Sequence, residues 1–256
     1  MHHPATCHGL VVSDLHLLSR RSEGETLFEG LASQLDASDV LVLNGDTFDF
    51  RWSSLPSEAA SIDAAIRWIE DLTTGHPRLE VRYLLGNHDC LAVFHRELEQ
   101  LVRSVATLQC HEHQFELGDN LFLHGDCANY RMDGPGLAKA RRPWINDRQR
   151  GRIAATSYDW SDALGLSRLV HELYFPQHRT VRRIAHHLDH TSPDWHRRFS
   201  RCFFGHTHRP FHSYEWRGVE FSNTGSAIPG MGFQPLTFDW RPEPSHSHER
   251  KSHLLL

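Results

Sequence analysis

The stretch Leu10-Val-Val-Ser-Asp-Leu-His-Leu17 sets a short apolar run directly against an aspartate and a histidine two residues apart. Such a run, bounded by polar residues, reads as a buried strand from Leu10 to Ser13. The same arrangement recurs four times. Val40 to Leu43 leads into Asn44-Gly-Asp-Thr-Phe-Asp49, and Val81 to Leu85 leads into Gly86-Asn-His-Asp89. Leu121 to Leu123 precedes His124-Gly-Asp126, and Arg201 to Phe204 precedes Gly205-His-Thr-His208. Each polar segment begins where an apolar run ends. In open α/β sheets ligands gather beyond the carboxyl ends of strands, so five such ends are expected to converge on one crevice.

Amphipathic stretches fill the intervals, and the alternation argues for a layered structure of strands and helices. Leu27, Phe28, Leu31 and Leu35 have helical spacing; Ser57 is expected to start a helix carrying Ile62, Ile66 and Ile69, stopped by Gly75 and Pro77. Leu91 to Val102 reads as a further helix. Gln114 to Leu117 and Leu121 to Leu123 flank Gly118, Asp119 and Asn120 as a hairpin would. From Cys127 to about Phe199 strand-like runs give way to Arg, His and helix-period apolars (Leu164, Leu169, Leu173; Val181, Ile184, Leu188), which predicts a helical insertion. Strands return at Phe211 to Trp216, Val219 to Ser222 and Pro235 to Asp239. The expected organisation is a domain over 1–240, interrupted by a cap at about 127–199, with a polar tail over 241–256.

Composition narrows the class. With 256 residues, 39% hydrophobic and 23% charged, the chain is long enough to bury a core and too apolar to be disordered. No stretch approaches the roughly 18–20 apolar residues of a membrane span, and Met1 to Leu10 lacks the basic start and apolar centre of a signal peptide. Five cysteines (Cys7, Cys90, Cys110, Cys127, Cys202) are an odd number and form no CxxC pair, which argues against a disulfide framework or a thiolate zinc site and fits a reducing cytoplasm. The formal net charge is -5, yet residues 126–201 carry 14 Lys and Arg against 8 Asp and Glu. That internal segment is basic, and nearly all its positive charge is Arg, which binds planar oxyanions through two donors at once.

The residue types at the strand ends select the chemistry. Asp14 and His16 lie two apart, as do His206 and His208, a spacing that turns both side chains to one side of an extended backbone. Asp14, His16, Asp46, Asn87, His124, His206 and His208 together make an oxygen and imidazole set without thiolate, suited to Mn, Fe or Zn rather than calcium. Seven ligands exceed one tetrahedral ion and suffice for two if a carboxylate bridges. Of the 22 histidines, only those inside these segments carry the argument; His186, His187 and His190 read as the polar face of a helix.

In order, the segments D-x-H, G-D-x-x-D, G-N-H-D, a lone H and G-H-x-H resemble the calcineurin-like metallophosphoesterase family over about Gly9 to Asn223. The resemblance implies an α+β fold, a four-layer αββα sandwich of two packed mixed β-sheets flanked by helices, with a two-metal centre in loops at its edge. It places Asp14, His16, Asp46 and His208 on one ion and Asp46, Asn87, His124 and His206 on the other, Asp46 bridging. Two divalent ions less two carboxylates leave about +2 of charge to bind phosphate and hold a hydroxide nucleophile. Manganese is the expected metal. A phosphomonoesterase or phosphodiesterase acting on an anionic phosphorylated substrate is the expected function.

The leaving oxygen needs a proton, and His88, next to Asn87, is placed to supply it, with Asp89 expected to orient its ring. Asp49 and Asp126 are expected to accept imidazole N–H bonds. SDLHL, GDTFDF and HGD, together with Asp133 and the Pro143-Trp144 pair, look like the bacterial branch typified by UDP-2,3-diacylglucosamine diphosphatase. That branch has Arg where His88 stands, and its cap is an acyl-chain chamber, whereas this insertion is rich in Arg and His. Trp160, Leu164, Leu169, Tyr174 and Phe175 line a lipid pocket on that alternative, or form the insertion's own core. Arg131, Arg141 and Arg142, just beyond His124 and Asp126, are the candidate substrate contacts, and Arg141→Ala is expected to raise the Michaelis constant. A non-catalytic scaffold would have shed ligands, and none is missing. A nucleic-acid enzyme lacks support, because no interleaved basic and aromatic pattern is present.

Overall fold

Residues 6–150 and 173–241 are described by the computed structural model. Four strands run parallel in chain order: β1 (Cys7–Val12), β2 (Val40–Asn44), β3 (Glu80–Leu84) and β4 (Leu108–His111). The last strand, β10 (Leu236–Trp240), returns antiparallel against β1. The second sheet is mixed, in the order β5 (Gln114–Leu117), β6 (Asn120–Leu123), β7 (Arg201–Phe204), β9 (Val219–Asn223), β8 (Phe211–Trp216).

Between the sheets lies a core that includes Val11, Val42, Phe122, Phe203 and Phe238. Each fully buried side chain of this size contributes about 1.5–3 kcal/mol through removal of apolar surface from water. The outer face of the first sheet is covered by helices α1 (Gly24–Glu29), α2 (Ala32–Asp36), α3 (Glu58–Gly75) and α4 (Ala92–Ser104). Burial from both sides explains why every residue of β2 is inaccessible and why Val40 to Leu43 form an unbroken apolar run. The arrangement is the expected helix, sheet, sheet, helix sandwich.

Several local readings differ from the structure. The helix expected through Leu27 to Leu35 is broken into α1 and α2 around Gly30 and Leu31. Strand β4 escapes a periodicity argument because only Leu108 of its four residues is buried, as befits a sheet edge. Ser57 does start α3, its Oγ accepting from the Ala60 N–H at 3.1 Å.

The described residues of the segment expected to form a cap also pack on the second sheet. Helix α6 (Gln177–Thr191) packs Val181, Ile184 and Leu188 against Leu121, Phe204 and Phe221, and α7 (Trp195–Arg198) adds Trp195. Together they form the outer layer on the second sheet. His187, expected on a polar face, is buried, its Nδ1 3.2 Å from the Met132 carbonyl oxygen. Helix α5 (Gly134–Ile145) crosses the edge of the sandwich, with Leu137 in the core of the second sheet and Trp144 and Ile145 against that of the first. Trp160, Leu164 and Leu169, and the tail from 242, lie outside the described residues. No described helix is long and apolar enough to cross a membrane.

Candidate metal centre

The expected residues come together at the carboxyl ends of β1, β2, β3, β6 and β7. Asp14, His16 and His208 bring one ligand atom each within 4.8 Å of one another, as do Asp46, His124 and His206. His16 Nε2 and His208 Nε2 are 3.1 Å apart, with His208 Nε2 3.2 Å from Asp14 Oδ1. In the second group His124 Nε2 lies 3.2 Å from Asp46 Oδ2 and 3.3 Å from Asn87 Oδ1. His206 and His208, which spacing alone paired, therefore belong to different groups.

Extended backbone is not what aims these side chains. Asp14, His16, Asp46, His206 and His208 all have positive φ, between 47° and 62°. Non-glycine residues rarely adopt this region, and five of them at one site mark backbone strain held in place by the surrounding structure. The loops are pinned by main-chain bonds, Asp14 N–H to Gly45 O and His16 N–H to Asp46 O, both 3.0 Å. Glycines allow the close approach. A Cβ on Gly86 would sit 2.1 Å from Asp46 Oδ1, and one on Gly205 would sit 2.1 Å from Asp14 Oδ2.

Electrostatics hold both carboxylates ionised despite burial. Burial alone would raise the Asp46 carboxyl, but the positive charges of His124 and His88 keep it well below the usual range. Conversely, burial would lower His124, while Asp46 lifts it to about 10. Burial, helped by the charge of His124, pushes His206 down to about 3, so its imidazole is neutral and ready to ligate. His16 Nδ1 and Asp49 Oδ2 are buried without a hydrogen bond, 3.6 Å apart. A set of imidazole nitrogens facing one another across buried carboxylates suits divalent cations, which would replace repulsion with coordination.

His88 and its surroundings differ from expectation in one respect. Its ring is met by Asp49, with Nδ1 3.1 Å from Oδ1, and its main-chain N–H donates to Asp46 Oδ1 at 2.7 Å. Burial would lower this imidazole, yet the charges of Asp49 and Asp46 raise it above the ordinary histidine value. Asp89, expected to orient the ring, instead accepts from Thr47 N–H, Tyr83 O–H and Gly86 N–H at 2.7–2.8 Å and braces the loops. Burial and the neighbouring Asp46 raise its carboxyl to about 6.

Asp126 is likewise not an imidazole partner. It pairs with Arg141, whose guanidinium is 4% exposed and also donates to the carbonyl oxygens of Leu85 and Glu112. Four of the five N–H donors of Arg141 are thus taken by the protein's own oxygens, so the structure gives it a bracing place rather than the expected one facing a substrate. Arg131 and Arg142 are exposed. Other arginines of the basic segment are also engaged, Arg198 with Glu116 and Arg183 with the Ala128 carbonyl. Sequence reasoning passed over Asn129, whose Oδ1 is 2.9 Å from His206 Nε2. Its signal was its place three residues after Asp126, on the turn that leaves the lone-histidine segment.

Comparison with known proteins assigns the fold and its family. The family model described as calcineurin-like phosphoesterase matches residues 10–210. Among solved structures, a dimetal phosphatase from Danio rerio is 11% identical, with a TM-score of 0.47, covering 93% of this chain and 94% of its own. Phosphopantetheinyl hydrolase from Mycobacterium tuberculosis is 16% identical at a TM-score of 0.46, covering 89% of this chain and 95% of its own. At these levels the likeness says nothing about substrate. No curated protein matches the chain.

Proposed function

Because the chain belongs to the calcineurin-like phosphoesterase family, hydrolases of phosphoesters with a dinuclear metal centre, we propose that Asp14, His16, Asp46 and His208 hold one divalent ion. Asp46, Asn87, His124 and His206 hold the other, with Asp46 shared. The observation that carries this reading is the pair of ligand groups, Asp14, His16, His208 and Asp46, His124, His206, assembled at one sandwich edge. The oxygen and imidazole donor set favours Mn2+, with Fe or Zn as the other metals it suits. When bound, such ions supply Lewis-acid charge that activates water and steadies the phosphoryl oxygens.

The protein's own residues then divide the remaining work. Asp49 holds Nδ1 of His88, so Nε2 is the nitrogen presented to the leaving oxygen, to which it donates a proton. Asp89 ties Thr47, Gly86 and Tyr83 together and so keeps the β2 and β3 loops in register. Exposed Arg131 and Arg142 draw in the anionic substrate. Five free cysteines, three of them buried, support a reducing, cytoplasmic setting.

Hydrolysis of p-nitrophenyl phosphate and bis(p-nitrophenyl) phosphate with Mn2+, against a metal-stripped control, tests the reading. Metal-dependent turnover of either ester is expected, and the ratio assigns a monoesterase or a diesterase. Absence of turnover of both under saturating metal would overturn it.

A further inference from the structure

Three neighbours from separate parts of the chain bound the ring of His88. Asp49 engages Nδ1, and the ring of His16 meets it edge-on with centroids 4.9 Å apart. The third is Trp144, whose indole centroid lies 4.7 Å from that of the imidazole at an interplanar angle of 48°. Trp144 stands near the end of α5, the helix that crosses from the second sheet to the first.

We propose that Trp144 is a positioning residue for the proton transfer, its indole fixing the plane of the His88 ring so that Nε2 addresses the leaving oxygen. The inference rests on the reading of His88 as proton donor. It stands on how firmly Trp144 is held. The guanidinium of Arg51 lies 3.6 Å from the centre of its ring, a cation stacked on the face of an indole. Arg51 in turn pairs through Nε with Asp147, and its carbonyl accepts from the Arg150 N–H at 2.8 Å. Arg150 Nη2 closes the group at 3.2 Å from Asp147 Oδ1.

On the other side, three residues before Trp144, the buried Arg141 fastens α5 to Asp126, Leu85 and Glu112. The indole is thus held on its face by Arg51, and the helix that carries it is tied by Arg141 to loops of both sheets, which leaves the bulky side chain few rotamers. With Asp49 alone, a single hydrogen bond at Nδ1 would be all that opposes rotation of the ring about its Cβ–Cγ bond. Trp144 and His16 close off that freedom. In consequence the insertion contributes a part of the catalytic apparatus, and proton delivery depends on α5 being seated.

The test compares p-nitrophenyl esters, whose leaving oxygen needs little protonation, with benzyl esters of the phosphate type the wild-type protein prefers. Turnover with Mn2+ is measured for His88→Asn, Trp144→Ala and Trp144→Phe, alongside a crystal structure of metal-free Trp144→Ala. Both His88→Asn and Trp144→Ala are expected to lower kcat on the benzyl ester roughly tenfold more than on the p-nitrophenyl ester, within the range of general acid catalysis. Trp144→Phe should restore most of the difference, and the His88 ring should be rotated in Trp144→Ala. Equal losses on both esters for Trp144→Ala, with His88→Asn still selective, would overturn the inference and leave the reading of His88 intact. An unselective His88→Asn would remove the reading and the inference together. If the alanine variant does not fold, Trp144→Leu keeps the apolar bulk without the ring and is read in the same way.

Discussion

Arg141 and Asp126 form a doubly hydrogen-bonded ion pair inside the protein, with Nε 2.7 Å from Oδ2 and Nη2 3.0 Å from Oδ1. The pair joins the crossing helix α5 to the turn that follows His124. Burial would raise the Asp126 carboxyl, but the adjacent guanidinium holds it below the usual carboxylate range.

Arg141→Leu is therefore expected to act on stability before binding. Removing one partner strands a buried carboxylate, at a cost of about 3–5 kcal/mol. Urea denaturation of the metal-free protein measures the loss, and Asp126→Asn in the same chain should recover part of it. If Arg141 instead touched substrate, the variant would unfold like the wild type and raise only the Michaelis constant.

The same pair sets a pH dependence. A carboxyl lowered on folding contributes stability that is present above its unfolded pKa, about 3.9, and is lost as pH falls through the folded value. Thermal unfolding between roughly pH 5 and 2 should show a steeper acid loss in the wild type than in the Arg141→Leu, Asp126→Asn double variant. Parallel curves would contradict the assignment.

His124 and Asp46 give a dependence of opposite sign. In metal-free protein Asp46 lifts the imidazole to about 10, so this pair stabilises fully below the ordinary histidine pKa of about 6.5 and loses its contribution as pH rises toward 10. A divalent ion must displace that proton. Manganese binding should accordingly tighten with rising pH and release protons, which calorimetry in buffers of different ionisation enthalpy would detect. Binding with no proton release would argue that His124 is not a ligand.

Glycine substitution tests the geometry without altering a ligand. Gly86→Ala places a methyl 2.1 Å from Asp46 Oδ1, and Gly205→Ala places one 2.1 Å from Asp14 Oδ2. Each should lower metal content and turnover while far-ultraviolet circular dichroism stays close to wild type. A variant with full metal content would show that the loops relax more readily than the packing indicates.

Much of the fold was legible because burial on both faces leaves unbroken apolar runs, as in β2, and because a turn or cap residue such as Ser57 has a local mechanism. Strand β4 was not, since an exposed edge leaves no period to read. At the site, the candidates lie together because each follows a strand end, which sequence order reveals. Direction was harder. Whether His88 meets Asp49 or Asp89 depends on the turn between β3 and α4, where Asp89 folds back onto Gly86 N–H and Thr47 N–H. Arg141 lies just beyond His124 and Asp126, which suggests a substrate contact, and nothing in its local sequence shows that its guanidinium turns inward onto Asp126 itself. Trp144 and Asn129 act across the sandwich edge, a relation that only the crossing of α5 and its preceding turn creates.

Metal counting tests the central claim most directly. Purified protein loaded with Mn2+, freed of excess ion and measured by elemental analysis should hold two ions per chain, with anomalous scattering placing Asp46 between them. Asp46→Asn should weaken both sites together, whereas His208→Ala should spare the ion near His124. A single ion per chain, or two ions retained undiminished in Asp46→Asn, would contradict the account.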